Sequence, residues 1–279
     1  MEIIIILVFI IIMFCYYENN VFDITNISIR CKVNEKIRVV HISDLHSKQF
    51  GKNNNRLNKV IMSQKPDVIF ATGDMIDSSL KDMDKTINFL VELNKVIPVV
   101  YIPGNNEMRT EKIEEILKKF GDGNVIALNN QIKELYLNKN KIYILGLAER
   151  KQDEGGIFYN KINSKYLYSN CEELFEKLER GDGTKIVLSH YPENFKAVGE
   201  YSYSKYNFDI MFSGHAHGGQ FILPFIGGLF APGQGILPKY YKGVHGETSK
   251  LVISRGLGNS GFPLRLFNRP EIVVIDLIK

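Results

Sequence analysis

The run Val39-Val40-His41-Ile42-Ser43-Asp44-Leu45-His46 decides how this chain is read: a short β-branched stretch ends, and an acid and an imidazole follow it at once. The arrangement recurs. Residues 68–72 lead into Gly73-Asp74, 99–102 into Gly104-Asn105, 186–189 into His190, and 210–213 into Gly214-His215-Ala216-His217. Short apolar runs rich in Val and Ile read as buried strands. After the first three come segments with apolar residues at helical spacing, Leu57/Val60/Ile61, Ile87/Leu90/Val91 and Ile113/Ile116/Leu117/Phe120. Strand–helix alternation of this kind predicts right-handed crossovers and a largely parallel first sheet. Thr110 is the expected N-cap of the third helix and Gly121 its end.

Working outward, residues 132–137 and 142–146 flank Asn138-Lys139-Asn140 and read as an antiparallel hairpin. A helix with Cys171, Leu174, Phe175 and Leu178 on one face follows, then strands at 185–189 and 208–213 and a strand-rich tail at 241–244, 250–254 and 271–277. On the N-terminal side, Ile24, Ile27, Ile29, Cys31 and Val33 fit an edge strand. These elements predict two sheets packed face to face with helices outside. Residues 37–279 contain no repeat or low-complexity linker and are expected to form one domain, preceded by a connector and edge strand at 18–36.

The composition is that of a globular protein: 279 residues, 44% hydrophobic, 24% charged, net charge +4. With no block of Lys or Arg, nucleic acid is not an expected partner. Three widely spaced cysteines without a C-x-x-C indicate neither a disulfide framework nor a thiolate metal site. The N-terminus is different, because residues 3–17 carry no charge. A cleaved signal peptide would have a basic start and small residues at the cleavage site, whereas Glu2 is the only early charge and Phe14-Cys15-Tyr16-Tyr17 is bulky. Ile12-Met13-Phe14 argues against lipid modification of Cys15. The expectation is an uncleaved membrane anchor at 1–17 making a single pass. A buried core segment is the alternative, because a full span needs about 20 residues. The orientation stays open between the two faces of the membrane, with Arg30, Lys32 and Lys36 after the anchor weakly favouring a cytoplasmic domain.

Parallel strands deliver their carboxyl ends to one edge, so residues distant in sequence gather there. Asp44, His46, Asp74, Asn105, His190, His215 and His217 would meet as mixed oxygen and nitrogen donors, too many for one ion and enough for a pair. Each has a bland reading alone: Asp44 as a turn cap, His46 as a surface residue, Gly73-Asp74-Met75-Ile76-Asp77 as a turn with an Asx cap, His190 as a core imidazole. The histidine pair flanked by glycines is harder to dismiss, and the same strand-end placement five times makes coincidence improbable. His41 and His245 fit no such pattern and are expected to be structural.

In order and spacing these motifs resemble the calcineurin-like metallophosphoesterase family, whose pattern is D-x-H, G-D-x-x-D, G-N-H-[D/E], a lone His and G-H-x-H. The likeness spans about residue 39 to the C-terminus. Gly214-His215-Ala216-His217-Gly218-Gly219-Gln220, with 254–258 and 265–271, resembles the membrane-associated bacterial branch that includes enzymes similar to UDP-2,3-diacylglucosamine pyrophosphatase. The resemblance implies an α/β fold, a four-layer αββα sandwich, and two divalent ions (Mn, Fe or Zn). Asp44, His46, bridging Asp74 and His217 would hold one ion; Asp74, Asn105, His190 and His215 the other. Asp77 would orient ligands. The implied activity is hydrolysis of a phosphodiester or diphosphate in a phosphorylated small molecule or lipid by a metal-bridging hydroxide.

One position departs from the family. Asn106 stands where the family has the His that protonates the leaving oxygen; a carboxamide donates a hydrogen bond but transfers no proton. A metal-binding scaffold with little turnover is therefore the competing reading. Arg109, Arg255 and Arg265 are candidate phosphate clamps, though a structural ion pair is the default for any single arginine. The apolar stretch 221–230 reads as a core strand pair, with a lipid-facing lip beside the site as the alternative.

Overall fold

The computed structural model describes residues 1–148, 171–196, 202–259 and 261–279. Helix α1 (Glu2–Asn20) leads into strand β1 (Asp23–Arg30). The strand–helix alternation follows: β2 (Ile37–Ile42), α2 (Asn55–Ser63), β3 (Val68–Thr72), α3 (Met83–Asn94), β4 (Val99–Ile102), the single turn α4 (Asn105–Met108), α5 (Ile113–Asp122) and β5 (Ile126–Ala127). The second half contains β6 (Gln131–Leu137), β7 (Asn140–Leu147), α6 (Cys171–Glu179), β8 (Thr184–Ser189) and β9 (Ile210–Ser213). Two short hairpins, β10 (Ile222–Leu223) with β11 (Gly227–Gly228) and β12 (Phe230–Ala231) with β13 (Gly235–Ile236), precede β14 (Gly243–His245), β15 (Lys250–Ile253) and β16 (Glu271–Ile278).

Two six-stranded sheets form, ordered β1-β16-β2-β3-β4-β5 and β14-β15-β9-β8-β7-β6. In the first, β2 through β5 run parallel and β16 enters antiparallel to β2. In the second, β15, β9, β8 and β7 are parallel, with antiparallel strands at both edges. The β6–β7 turn is two residues, Asn138 and Lys139, both at positive φ (46° and 59°), the twist a two-residue hairpin requires.

The layers follow from side-chain alternation. In β2, Val39 faces the second sheet, where it joins Phe70, Ile144, Leu188 and Phe212, while Val40 and Ile42 face Leu57, Leu90 and Phe120 of the helical layer. Both faces are covered, so both are apolar and the strand reads as a continuous hydrophobic run. On the outer face of the second sheet, Leu145, Val187 and Met211 pack on Phe175 and Leu178 of α6. The order is helix, sheet, sheet, helix. His41 lies in this interior, its Nε2 2.7 Å from Thr72 Oγ1, and burial pushes the imidazole down to about 3, so it is a neutral structural residue.

Three expectations are corrected. Thr110 does not cap α5, whose N-cap is Lys112; its hydroxyl donates instead to Glu107 O and closes α4. Ile24 faces solvent, since the buried phase of β1 is that of Ile27 and Ile29. The stretch 221–230 is not core: Phe225 and Ile226 stand in solvent at a hairpin tip. Pro224 lacks an N–H and Gly227-Gly228 lack side chains, so β10 and β11 stop at two residues each and cannot bury a face.

The uncharged N-terminal run is continued by Glu18, Asn19 and Asn20 into a helix long and apolar enough to cross a membrane. Only its last turn is buried against the domain. There Lys48 Nζ donates to Asn19 O at 2.6 Å and an Arg56 guanidinium nitrogen to Asn20 O at 3.1 Å, placing cations on the carbonyl end of the helix dipole.

Candidate metal centre

The parallel strands β2, β3, β4, β8 and β9 end at one edge, and the residues just past them converge. Asp44, His46, Asp74, His215 and His217 all lie at positive φ, between 46° and 66°. Non-glycine residues avoid this region, and its concentration here marks backbone held by its surroundings in order to aim side chains. Gly73, at φ 86°, makes the crowding possible: a Cβ there would lie 2.6 Å from Gly104 N and 2.9 Å from His190 Nδ1. Only a glycine lets the loops after β3 and β4 touch.

Two donor clusters result, Asp44/His46/His217 and Asp74/His190/His215, with the ligand atoms of each within 4.8 Å of one another. Asp74 Oδ2 reaches toward both, 3.8 Å from His46 Nε2 and 3.4 Å from His190 Nε2. The rings of His46 and His217 stack with their Nε2 atoms 3.1 Å apart. That is close to the roughly 3.3 Å between two nitrogens bound tetrahedrally to one ion at about 2.0–2.1 Å. His190 Nδ1 sits 2.7 Å from Thr72 O, which fixes the proton on Nδ1 and leaves Nε2 facing the carboxylates. His190 Nε2 and Asn105 Oδ1 are buried without a well-formed hydrogen bond, as atoms reserved for a cation would be.

The protonation states also call for positive charge. Burial and the neighbouring Asp74 carboxylate raise Asp44, against the pull of His190 and His46. Burial acts on Asp74 too, but the charge and contact of His190, the charge of His46 and the Asn106 amide outweigh it and hold Asp74 below the usual carboxylate range. Burial opposes a proton on His190, yet Asp74 and Asp44 lift it to about 10. His215 and His217 are pushed well down, first by burial and then by the charges of His190 and His46, respectively. Without a cation, the buried carboxylates of Asp44 and Asp74 rely on neighbouring imidazoles, His190 foremost, for their counter-charge.

A cleft of about 340 Å³ opens over these groups, lined also by Asp77, Ser78, Asn106, Arg109, Pro232, Asn259 and Gly261. Asn106 donates through its backbone N to Asp74 Oδ1 at 2.7 Å and through Nδ2 to Asp74 Oδ2 at 2.5 Å. Asp77 Oδ2 is 3.9 Å from His46 Nδ1. Arg109 is exposed in the cleft.

The other two arginines do not serve as clamps. Arg255 is buried in ion pairs with Asp23 and Glu271, and these charges hold its proton against the opposing effect of burial. Arg265 is almost fully buried and donates to the carbonyls of Gly258, Arg255 and Asn268, with a further contact of 3.4 Å to His217 Nδ1.

Glu107 and Asn268 emerge only from the structure as supports of the site. Glu107 accepts from Asp74 N, Ile76 N and Gly104 N at 2.9–3.0 Å, tying the two loops together; its place three residues after Gly104 at the start of a helical turn was the available signal. Burial and the Asp74 charge lift its carboxyl to about 7. Asn268 Nδ2 donates to His217 O at 2.7 Å, and Asn268 N donates to Glu18 Oε2 of α1 at 3.2 Å. Glu107→Ala strands three buried amides, so a loss of about 3 kcal/mol or more is expected in urea unfolding of the metal-free protein; a loss below about 1 kcal/mol would mean that other groups satisfy them.

Residues 37–219 match the family model described as Calcineurin-like phosphoesterase. The chain belongs to the calcineurin-like phosphoesterase family. Relatives within it include an uncharacterized metallophosphoesterase of Campylobacter jejuni, 29% identical over 248 residues, covering 86% of this chain and 59% of the relative. The chain thus spans about three-fifths of that protein. YkoQ of Bacillus subtilis, also an uncharacterized metallophosphoesterase, is 25% identical over 244 residues, covering 85% and 82%. The crystal structure of TT1561 from Thermus thermophilus shares the fold, with a TM-score of 0.51 at 15% identity over 80% of this chain and 91% of that one. As a calcineurin-like phosphoesterase, the chain carries its motifs on strand ends of a fold built to bring them together.

Proposed function

We propose that the chain is a membrane-anchored, dinuclear-metal phosphoesterase that hydrolyses a phosphodiester or diphosphate bond, its substrate lipid-linked or a nucleotide. The observation that carries this reading is the pair of three-residue donor clusters with Asp74 Oδ2 between them. Asp44, His46, Asp74 and His217 would hold one divalent ion, and Asp74, Asn105, His190 and His215 the other. Bound there, two such ions lower the pKa of a shared water and neutralise phosphoryl oxygens. Mn, Fe and Zn all suit this nitrogen and oxygen set.

The remaining roles fall to the chain's own groups. Arg109 pairs with a phosphate oxygen at the cleft mouth, as an exposed guanidinium with no described partner can. Asn106 offers its carboxamide N–H to the leaving oxygen, and Asp77 orients His46. The resemblance to the membrane-associated branch and the apolar α1 support a lipid-linked substrate. The test is metal reconstitution of the full chain followed by elemental analysis and a hydrolysis screen over aryl phosphodiesters, nucleotides and lipid diphosphates. Two ions per chain with metal-dependent turnover is the expected result. One ion or none would sink the dinuclear reading, and two ions without turnover would favour the scaffold.

A further inference from the structure

The apolar surface beside the cleft is not explained by the metal chemistry. From residue 221 to 238 no residue is charged, and neither is any from 256 to 264. These two segments put Phe225, Ile226, Ile236 and Leu237, then Phe262 and Leu264, into solvent, with Phe267 beside them. Among the described residues outside α1, the other exposed large apolar side chains, Ile24, Val96, Tyr136 and Val244, belong to neither segment. The segments are joined to each other: Ile222 N donates to Leu266 O, Gln220 Nε2 donates to Phe262 O and Leu264 O, and Phe221 packs edge-on against Phe262. They also form part of the cleft wall, through Pro232, Asn259 and Gly261.

The depth of this rim relative to α1 can be worked out. Phe14 of α1 packs on Phe267, with ring centroids 5.7 Å apart. At 1.5 Å per residue, Phe14 lies about 9 Å up the helix from Asn20, and the whole helix is about 28 Å long, close to the roughly 30 Å of bilayer hydrocarbon. If α1 spans, Phe14 sits inside the membrane, and Phe267 with the strip joined to it is carried to the same depth. At the helix end, Arg269 sits over the Tyr17 ring at 5.4 Å, and after the hairpins Lys239 and Lys242 lie over Tyr240 and Tyr241 at 5.3 and 5.6 Å. Aromatic and basic residues at the edge of an apolar surface are what the headgroup region selects.

We propose that the rim enters the lipid bilayer alongside α1, seating the mouth of the metal cleft at headgroup depth, so that the phosphate it receives is one carried on a membrane lipid. The proposal rests on the reading of α1 as a membrane span, and it adds a second contact with the membrane and a substrate presented from the bilayer plane.

The chain has no tryptophan, so a single introduced one reports its own surroundings. The full chain is reconstituted into phosphatidylcholine/phosphatidylglycerol vesicles whose acyl chains are brominated either near the glycerol or near the terminal methyl. Phe225→Trp and Phe262→Trp should be quenched by bromine near the glycerol. Ile6→Trp in α1 should be quenched by bromine in at least one position, and Tyr136→Trp, on β6 at the end remote from the cleft, in neither. Quenching at Ile6→Trp without quenching at Phe225→Trp and Phe262→Trp would overturn the rim's insertion while leaving the anchor intact. No quenching at Ile6→Trp would overturn the anchor, and the rim with it. A blue-shifted but unquenched Phe225→Trp would mean that protein covers the rim, which also overturns it, as would equal quenching of Tyr136→Trp.

Discussion

Under the proposed dinuclear reading, Asp74→Asn is expected to lower kcat/KM by about 10³-fold or more and to remove both ions, because the carboxylate lying between the two clusters would carry the bridging charge in a buried site. His46→Ala should act more locally. His46 belongs to the Asp44/His217 cluster, so elemental analysis should find that ion lost and the Asp74/His190/His215 ion largely kept. Equal metal loss in the two variants would show that Asp74 does not bridge. Folding is checked separately through the unfolding midpoint of the metal-free forms. There the variant loses a carboxylate whose charge is balanced by His190, so the imidazole, lifted to about 10 by Asp74 and Asp44 against burial, should fall toward its ordinary value. A histidine-resolved NMR titration reads that shift directly.

The same proton gives the pH dependence its sign. With a folded pKa near 10 against an unfolded value near 6.5, protonated His190 contributes stability to the metal-free protein that is fully present below about pH 6.5 and lost as pH rises through 10. Asp74 works the other way: held below the usual carboxylate range, it contributes stability present above about pH 4 and lost in acid. Cation loading must displace the His190 proton. Apparent metal affinity should therefore rise about tenfold per pH unit through neutrality, with a proton released per binding event. An affinity flat between pH 6 and 8, measured by competition with a chelator corrected for its own protonation, would remove His190 from the ligand set.

The parts of this structure legible in the sequence are those set by local pattern. A β-branched run followed at once by Asp-x-His or Gly-Asp needs only parallel strands whose carboxyl ends lie together, and β2, β3 and β4 of one sheet with β8 and β9 of the other provide them. What stayed illegible depends on partners far along the chain. Arg255 is held by Asp23 and Glu271, and Arg265 by carbonyls of the loop after β15, so neither is free to meet a phosphate; hydropathy and spacing record nothing of that burial. Hydropathy misread residues 221–230 for a related reason, since the run is as apolar as a core strand but folds back on itself in a two-stranded hairpin outside both large sheets. The tie from Glu18 through Asn268 to His217 joins α1 to the metal centre across nearly the whole chain, and no local signal announces it. Positive φ at five metal-site residues was equally invisible, because Asp and His carry no sequence mark of the backbone they adopt.

Asn106→His should raise turnover on substrates with poor leaving groups by about 10²–10⁴-fold while changing good leaving groups little, because the introduced imidazole supplies the proton that a carboxamide cannot. The structure sharpens this expectation. Asn106 lines the cleft, and its backbone N, which donates to Asp74 Oδ1, is kept in any substitution, so the loop's grip on Asp74 survives. What changes is the Nδ2 contact with Asp74 Oδ2, which the variant gives up. If wild type leaves the leaving oxygen unprotonated, its rates across a series of aryl phosphodiesters should fall steeply with leaving-group basicity, and the variant should flatten that slope. Diphosphates, whose leaving group is already a weak base, should gain least. An equal gain on every substrate would point to repair of position or charge rather than proton transfer. An unchanged slope with both ions bound would place Asn106 away from the leaving oxygen and assign it to Asp74, whose carboxylate it already holds through two hydrogen bonds.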